Sequence, residues 1–270
     1  MIKSRLCNLC NFPLMPGKTR CTACGATGIN LTAGSVNEEE VISLADALKK
    51  RGEAPRRIKT GLRHVDQIFG GGIVITSTNL IGGAPGAGKT TLQLQISEAI
   101  LRQSEYSLRV AVIVGNEQQP EEIGDFGERL KLSDDVMTRI KVVRAMGGLR
   151  SNLYELIKKY NPCIVFIDSL NKLVGEDHAQ AIAVAGAVKN LIGEIRCGPA
   201  IMISQVTKDL DFAGPEKLQH EVDGAFMLDK DDVTGERMLF SIKNRNGEAP
   251  LHASFWMTER GLVEKKEEEE

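Results

Sequence analysis

The chain has 270 residues, 42% of them hydrophobic and 26% charged, with 34 basic against 36 acidic side chains and six cysteines. That length suits one large α/β domain with a small appendage, and the composition is that of a globular protein. No stretch approaches the roughly eighteen consecutive apolar residues of a membrane span, and the opening MIKSRLCNLC lacks the apolar core of a secretory signal, so a cytoplasmic, reducing setting without disulfides is expected.

Residues 1–24 carry Lys3, Arg5, Lys18 and Arg20 and no acid, a balance that suits a polyanion such as nucleic acid. Four of the six cysteines lie in the same stretch, as Cys7-x2-Cys10 and, after a ten-residue spacer, Cys21-x2-Cys24. Two tight bends that each present a pair of thiolates can close a tetrahedral four-sulfur site, so residues 1–30 are expected to form a zinc finger. So short a segment cannot build an apolar core, and the metal would supply its folding energy. A redox motif fits less well, because such CxxC pairs come singly beside a βαβ pattern. A four-thiolate zinc has no open coordination position, so no catalysis is assigned to it.

Residues 31–57 are expected to hold a linker and a bridging helix. GATGINLTAGSV is small and polar, while NEEEVISLADALKKRG has acids first and bases last, as the helix dipole favours, until Pro55 stops it. From Ile58 the pattern changes to β-rich apolar runs separated by amphipathic stretches. Strands are expected at Asn79–Gly82, Arg109–Gly115, Ile140–Arg144, Cys163–Asp168, Ala200–Gln205, Ala225–Asp229, Arg237–Lys243 and His252–Trp256. Helices separate the earlier strands, which implies parallel βαβ units; the last three follow one another through short turns, which implies antiparallel additions at one edge. Cys163 and Cys197 are expected to pack as small buried hydrophobes. Residues 58–262 thus form an α/β core with a mainly parallel sheet.

The first of these strands runs into Gly83-Ala84-Pro85-Gly86-Ala87-Gly88-Lys89-Thr90, which fits GxxxxGK[ST], and then, from Thr91, into the amphipathic stretch TLQLQISEAILRQ. Strand, glycine loop and helix together mark an ATP phosphate site. Glycines let backbone N–H groups close around phosphate oxygens, Lys89 reaches the outer phosphates, and the Thr90 hydroxyl ligates Mg²⁺. The next strand, VAVIVGNE, puts Glu117 just past its end, on the same rim as Gly83, where a carboxylate can orient an attacking water. Glu121 and Glu122 follow Pro120 and suit the first turn of a helix whatever the chemistry. CIVFIDS delivers Asp168 to that rim as a partner for the magnesium shell, with a helix N-cap as the competing role. MISQVTK delivers Gln205, an amide able to sense the terminal phosphate and signal its loss to the adjoining TKDLDFAGPEK, where Lys208 and Lys217 are candidates for DNA contact together with Lys18 and Arg20.

Near the end of the core, KNRNG places Lys243 and Arg245 on one side of a strand. Residues 263–270 finish the chain; EKKEEEE from Glu264 contributes −3 to a net charge of −2 and is expected to be a solubilising acidic tail.

Taken together, these motifs resemble the RadA/Sms family of bacterial recombination ATPases within the RecA/DnaB superfamily. The likeness rests on the four-cysteine finger with its ten-residue spacer, on RIKTGLRHVDQIFGGGIV ahead of the phosphate loop, and on TKDLDFAGPEKLQHEVD after the sensor strand, and it covers the chain from Cys7 to Trp256. It implies a RecA-like P-loop fold and a DNA-dependent ATPase acting on single-stranded or branched DNA in recombination, repair or replication, as a helicase or branch-migration motor. It also implies a homo-oligomer, a hexameric ring or filament, in which Lys243 and Arg245 reach the nucleotide of the neighbouring subunit, and a recombinase or replication partner met through the finger. Two features depart from the family. Its KNRFG is KNRNG here, with Asn246 in place of phenylalanine, as in DnaB-type helicases, and the chain ends without the family's Lon-protease-like domain, which makes a short form the expectation. The alternative is a KaiC-like regulatory switch that binds protein partners under nucleotide control.

Overall fold

The computed structural model describes residues 5–6, 13–14, 20, 43–51, 57–144, 149–175, 177–205 and 216–265. The chain divides into two compact units, Met1–Arg56 and Arg57–Glu270. In the first, strands β1 (Arg5–Leu6) and β2 (Pro13–Leu14) pair antiparallel, with Arg5 opposite Leu14, and helix α1 spans Leu44–Arg51. Asp46 lies in the first turn of α1 and accepts a hydrogen bond from Ser43 Oγ; the acids at 38–40 expected to open the helix lie outside the described residues. Cys7, Cys10, Cys21 and Cys24 lie outside the described residues.

The second unit is built on strands that are buried on both faces. In β5 (Thr78–Gly83) every residue is buried, and adjacent side chains serve opposite layers: Ile81 packs into one apolar cluster and Leu80 into the other. The same alternation runs through β6 (Ala111–Gly115), β8 (Ile164–Ile167), β9 (Ala200–Gln205) and β10 (Gly224–Lys230). Helices α2 (Arg63–Ile68), α3 (Lys89–Leu101), α4 (Pro120–Arg129) and α5 (Asp134–Arg139) supply apolar side chains to the first cluster. Helices α6 (Leu149–Tyr160), α7 (Leu170–Val174), α8 (His178–Ile195) and α9 (Glu216–Glu221) do the same for the second. Each fully buried Leu, Ile or Phe in these layers contributes about 1.5–3 kcal/mol.

With β7 (Ile140–Arg144), β11 (Glu236–Asn244), β12 (His252–Thr258) and β13 (Gly261–Glu264), the sheet order is β13-β12-β11-β10-β5-β9-β8-β6-β7. Strands β10, β5, β9, β8, β6 and β7 run parallel, and β11, β12 and β13 are added antiparallel. This is the α/β architecture read from the sequence. A small ribbon of β3 (Arg57–Ile58) and β4 (Ile73–Val74) stands apart from it.

Several local expectations change. The strand expected from Arg109 starts at Ala111: the Arg109 backbone N–H closes a turn onto the Tyr106 carbonyl, and its guanidinium donates to the carbonyls of Asn161, Pro162 and Cys197. Helix α3 is not amphipathic: Thr91, Leu92, Gln93, Leu94, Ile96, Ser97, Ile100 and Leu101 are all buried. Its remaining side is partly covered by β13, whose Leu262 exchanges two hydrogen bonds with the Gln95 side chain. The boundary expected after residue 262 falls inside a strand. Val263 and Glu264 belong to β13, and Glu264 Oε1 accepts from the His64 backbone N–H at 2.7 Å. Cys163 is fully buried as expected, whereas Cys197 is only half-buried. Among the described residues, no helix is long and apolar enough to cross a membrane.

Candidate functional site

Because β5, β9, β8 and β6 are parallel and adjacent, their C-terminal ends share one edge of the sheet. The loop from Gly83 to Gly88 leaves β5 there and enters α3 at Lys89. Its glycines are needed where they stand. Gly88 has φ +111°, and a Cβ on Gly83 would sit 2.4 Å from the Leu228 carbonyl oxygen. Ala87 is buried and its carbonyl accepts from Arg237 Nε at 3.0 Å, which pins the loop to β11. No side chain caps the N-terminus of α3, so the first-turn N–H groups of this thirteen-residue helix face the cleft at the positive end of its dipole.

Lys89 curls over the loop, with Nζ donating to the carbonyls of Gly83 at 2.6 Å and Ala84 at 2.9 Å. Burial lowers its pKa, while the nearby Glu117 and Asp168 carboxylates pull it back up. Asp168, only 8% exposed, follows β8. Burial first, then the charge of Glu117, pushes its carboxyl up to about 6, against the opposing pull of Lys89. The helix-capping role belongs to its neighbour: Ser169 caps α7 through the Lys172 backbone N–H. Glu117, two residues beyond β6, accepts from Gln205 Nε2 at 3.0 Å. Gln205 is itself held by its backbone N–H, which donates to Asn171 Oδ1 at 2.9 Å, and Ser204 Oγ donates to the same oxygen. Thr90 Oγ1 is 3.3 Å from Gln118 Oε1.

Lys89, Thr90, Thr91, Glu117 and Asp168 thus converge on one cleft of about 360 Å³, with Gln205 behind Glu117. The donor set fits a hydrated Mg²⁺ on a phosphate: a hydroxyl from Thr90, oxygen from Asp168, and a cradle at Gly83, Gly86 and Gly88 that a larger residue would fill or strain. Glu121 and Glu122 are first-turn residues of α4, where Glu122 completes a capping box with Gln119.

Sequence reasoning missed five residues of the cleft: Gln118, Phe126, Arg129, Arg237 and Met257. Arg237 reaches Ala87 across 150 positions of chain, a contact with no local signal. Phe126 and Arg129 could have been found, since they stand three apart on the helix that comes after Glu117. The Arg129 guanidinium lies 4.6 Å from the Phe126 ring centroid and donates to Thr91 Oγ1.

Lys243 and Arg245 do not join this cleft within their own chain. β11 runs antiparallel to β10, so it carries them to the other end of the sheet. The register slips there: Ala225 faces Lys243 while Phe226 faces Ser241, leaving Ile242 as the extra residue of a bulge. Lys243 Nζ therefore lands on the C-terminal carbonyls of α9, donating to Gln219 at 2.6 Å and Val222 at 2.8 Å. Burial, together with the charges of Arg245 and Lys189 in second place, lowers its pKa. Arg245 lies past the end of β11 rather than in it; its guanidinium is 3.8 Å from Asp223, and its backbone N–H donates to the Asp223 carbonyl. The turn is held tightly. Arg57 donates to the Asn246 carbonyl, Asn244 to that of Ile68, and Gly70 and Gly247 pack so closely that a Cβ on Gly247 would sit 2.6 Å from the Gly70 Cα.

Of the residues considered for nucleic acid, Arg20 is exposed and Lys217 lies on α9; Lys18 and Lys208 lie outside the described residues.

The chain is 28% identical to the DNA repair protein RadA of Haemophilus influenzae over 286 aligned positions, covering 97% of this chain and 59% of the relative. It is 29% identical to RadA of Escherichia coli, with 96% and 59% covered. It therefore spans about three fifths of the length of these curated relatives. In fold it is similar to a KaiC-like protein from the archaeon Pyrococcus horikoshii, with a TM-score of 0.66 and 20% identity over 79% of this chain and all of the other. A family model described as "ATPase: KaiC" matches residues 58–263. That span takes in the phosphate loop and all of the large sheet but the last residue of β13, and the chain belongs to the KaiC family of ATPases.

Proposed function

We propose that the protein is a DNA-dependent ATPase of RadA type, working as a homo-oligomeric ring or filament on single-stranded or branched DNA in repair, recombination or replication, as a helicase or branch-migration motor. The observation that carries the hydrolytic part is the placing of Glu117 between Gln205, which holds it, and the Lys89–Asp168 cleft, which receives the phosphates. The DNA part rests on similarity to RadA proteins along nearly the whole chain.

In this reading the loop N–H groups and the α3 N-terminus bind phosphate oxygens, and Lys89 exchanges its own loop carbonyls for the outer phosphates. Thr90 and Asp168 hold Mg²⁺, which neutralises phosphate charge when bound. Glu117 orients water and accepts its proton. Gln205 fixes the Glu117 carboxylate and passes the state of the site into the segment that begins at residue 206 and carries Lys208. Lys243 and Arg245, held out of their own cleft at the far end of the sheet, enter the cleft of the next subunit and stabilise charge on the transferring phosphoryl group. Cys7, Cys10, Cys21 and Cys24 hold a structural zinc in a finger that meets DNA through Lys18 and Arg20 or a recombinase or replication protein partner.

Steady-state ATP hydrolysis with and without single-stranded DNA tests the reading. Stimulation of about tenfold or more by DNA supports it. Hydrolysis indifferent to DNA, with nucleotide-dependent binding of a protein instead, would favour a KaiC-like switch.

A further inference from the structure

Asp223, one residue before β10, is held by the backbone on both sides: its N–H donates to the Thr78 carbonyl at 2.7 Å, and its own carbonyl accepts from the Arg245 N–H at 2.8 Å. Its carboxylate, 17% exposed, is divided between partners. Oδ2 accepts from the Thr78 N–H at 3.0 Å, which leaves Oδ1 for cations. Lys189 of α8 takes that oxygen at 2.6 Å, while the Arg245 guanidinium stops 3.8 Å from it, beyond hydrogen-bond reach. Among the described residues no other carboxylate lies within 4 Å of that guanidinium.

The division matters because a guanidinium pairs with a carboxylate better than an ammonium does. Its planar fork binds side-on through two hydrogen bonds, and in a partly buried spot such a pair is slow to open. There is room for one here. Asp223, Lys189 and Asn246, the residue after Arg245, border one open cavity of about 400 Å³. Lys189 works against that closure in two ways: it fills Oδ1, and its charge repels Arg245. Burial first, then the charges of Arg245 and Lys189, lowers the pKa of Lys243, so the three cations lie within one another's field. Arg245 is left with a fixed backbone and a guanidinium 54% exposed. An anchored stem with a free head is what a donated cation requires.

We infer that Lys189 is a positioning residue: by occupying the Asp223 carboxylate it keeps the Arg245 guanidinium free for the phosphate bound by a neighbouring subunit. The inference rests on the proposed delivery of Arg245 across a subunit boundary and adds the residue that prevents its capture at home. Lys189 acts through Asp223 and touches no nucleotide.

Donation can be measured by itself. Chains with Lys89→Ala, dead in their own cleft, serve as donors to chains with Lys243→Ala and Arg245→Ala, and ATP turnover of the mixture reads the donated cations, with co-assembly shown by mixed-label sedimentation. Adding Lys189→Met to the donor should lower the recovered turnover about fivefold or more, because Arg245 closes onto Asp223. Adding Asp223→Asn as well removes the competing carboxylate and should restore about half of the turnover or more. In the acceptor, whose own cations are already absent, Lys189→Met should leave recovery unchanged, which a general structural lesion would not do. A Lys189→Met donor as good as its parent would overturn the inference, as would a loss that Asp223→Asn does not reverse or that appears equally with the substitution in the acceptor. Those results, with parent donors still active, leave cation delivery standing and remove only the role of Lys189. If donors with Lys189 intact restore nothing, delivery itself fails and the inference goes with it.

Discussion

Gln205 and Glu117 meet at 3.0 Å across the end of β8, which lies between their two strands in the sheet. The pair links the strand that precedes residues 206–215 to the carboxylate proposed to act on water. Glu117→Gln keeps the amide contact and the shape but removes the base. It should bind ATP and hydrolyse it about 10²–10³-fold more slowly, whereas Lys89→Ala should lose both binding and turnover. Single-turnover hydrolysis at saturating ATP separates these phenotypes. Near-normal turnover in Glu117→Gln would shift the base to Asp125 or Glu128 on α4.

Asp168 gives the nucleotide-free, metal-free protein a pH dependence. Its folded pKa of about 6 lies above the ordinary 3.8, so between those values the folded chain binds more protons than the unfolded one. Stability from this group is therefore present at low pH and lost as pH rises through about 6. Asp168→Asn should raise the unfolding free energy at pH 7.5 by about 2 kcal/mol and change it little at pH 4. Urea unfolding at the two pH values checks this.

Glycines separate site packing from helix propensity. A Cβ on Gly115 would sit 1.6 Å from the Asp168 carbonyl oxygen, so Gly115→Ala should cost about 3 kcal/mol or more and displace Asp168 from the cleft. Gly193, inside α8, has open space where a Cβ would stand, with no atom of another element within 4 Å, and Gly193→Ala should stabilise by about 0.5–1 kcal/mol. Thermal melts of both variants, with ATP-analogue binding for the first, give the contrast.

Much of this was legible because parallel strands announce themselves as short apolar runs and deliver the residues at their C-terminal ends to one edge. Gly83, Glu117, Asp168 and Gln205 are far apart in the chain, yet each directly ends or succeeds such a run. Length explains the misses. β3 and β4 have two residues each, and β13, four residues beside a run of glutamates, has the look of a tail's beginning in sequence and becomes a strand only by pairing with β12. The amphipathic reading of α3 failed because a third element covers the side that the pattern left polar. The bulge at Ile242 carries no mark in KNRNG, and it decides which face presents Lys243.

Metal content tests the amino-terminal reading. Purified protein should carry about one zinc per chain, and chelation should release it while residues 57–265 keep their cooperative unfolding. A metal-free preparation with an ordered amino terminus would contradict it.

Completion of one subunit's site by the next is the central claim, and mixing two inactive variants tests it most directly. A chain with Lys243→Ala and Arg245→Ala keeps its own phosphate loop but offers its neighbour no cations, while Lys89→Ala has a dead cleft but can still donate them. Each alone should hydrolyse poorly. Random equimolar co-assembly should restore activity at about one interface in four, the fraction that joins an intact loop to intact cations. No recovery at any ratio, with co-assembly shown by mixed-label sedimentation, would contradict the claim and leave Lys243 and Arg245 to their own subunit, where Lys243 closes α9 and Arg245 faces Asp223.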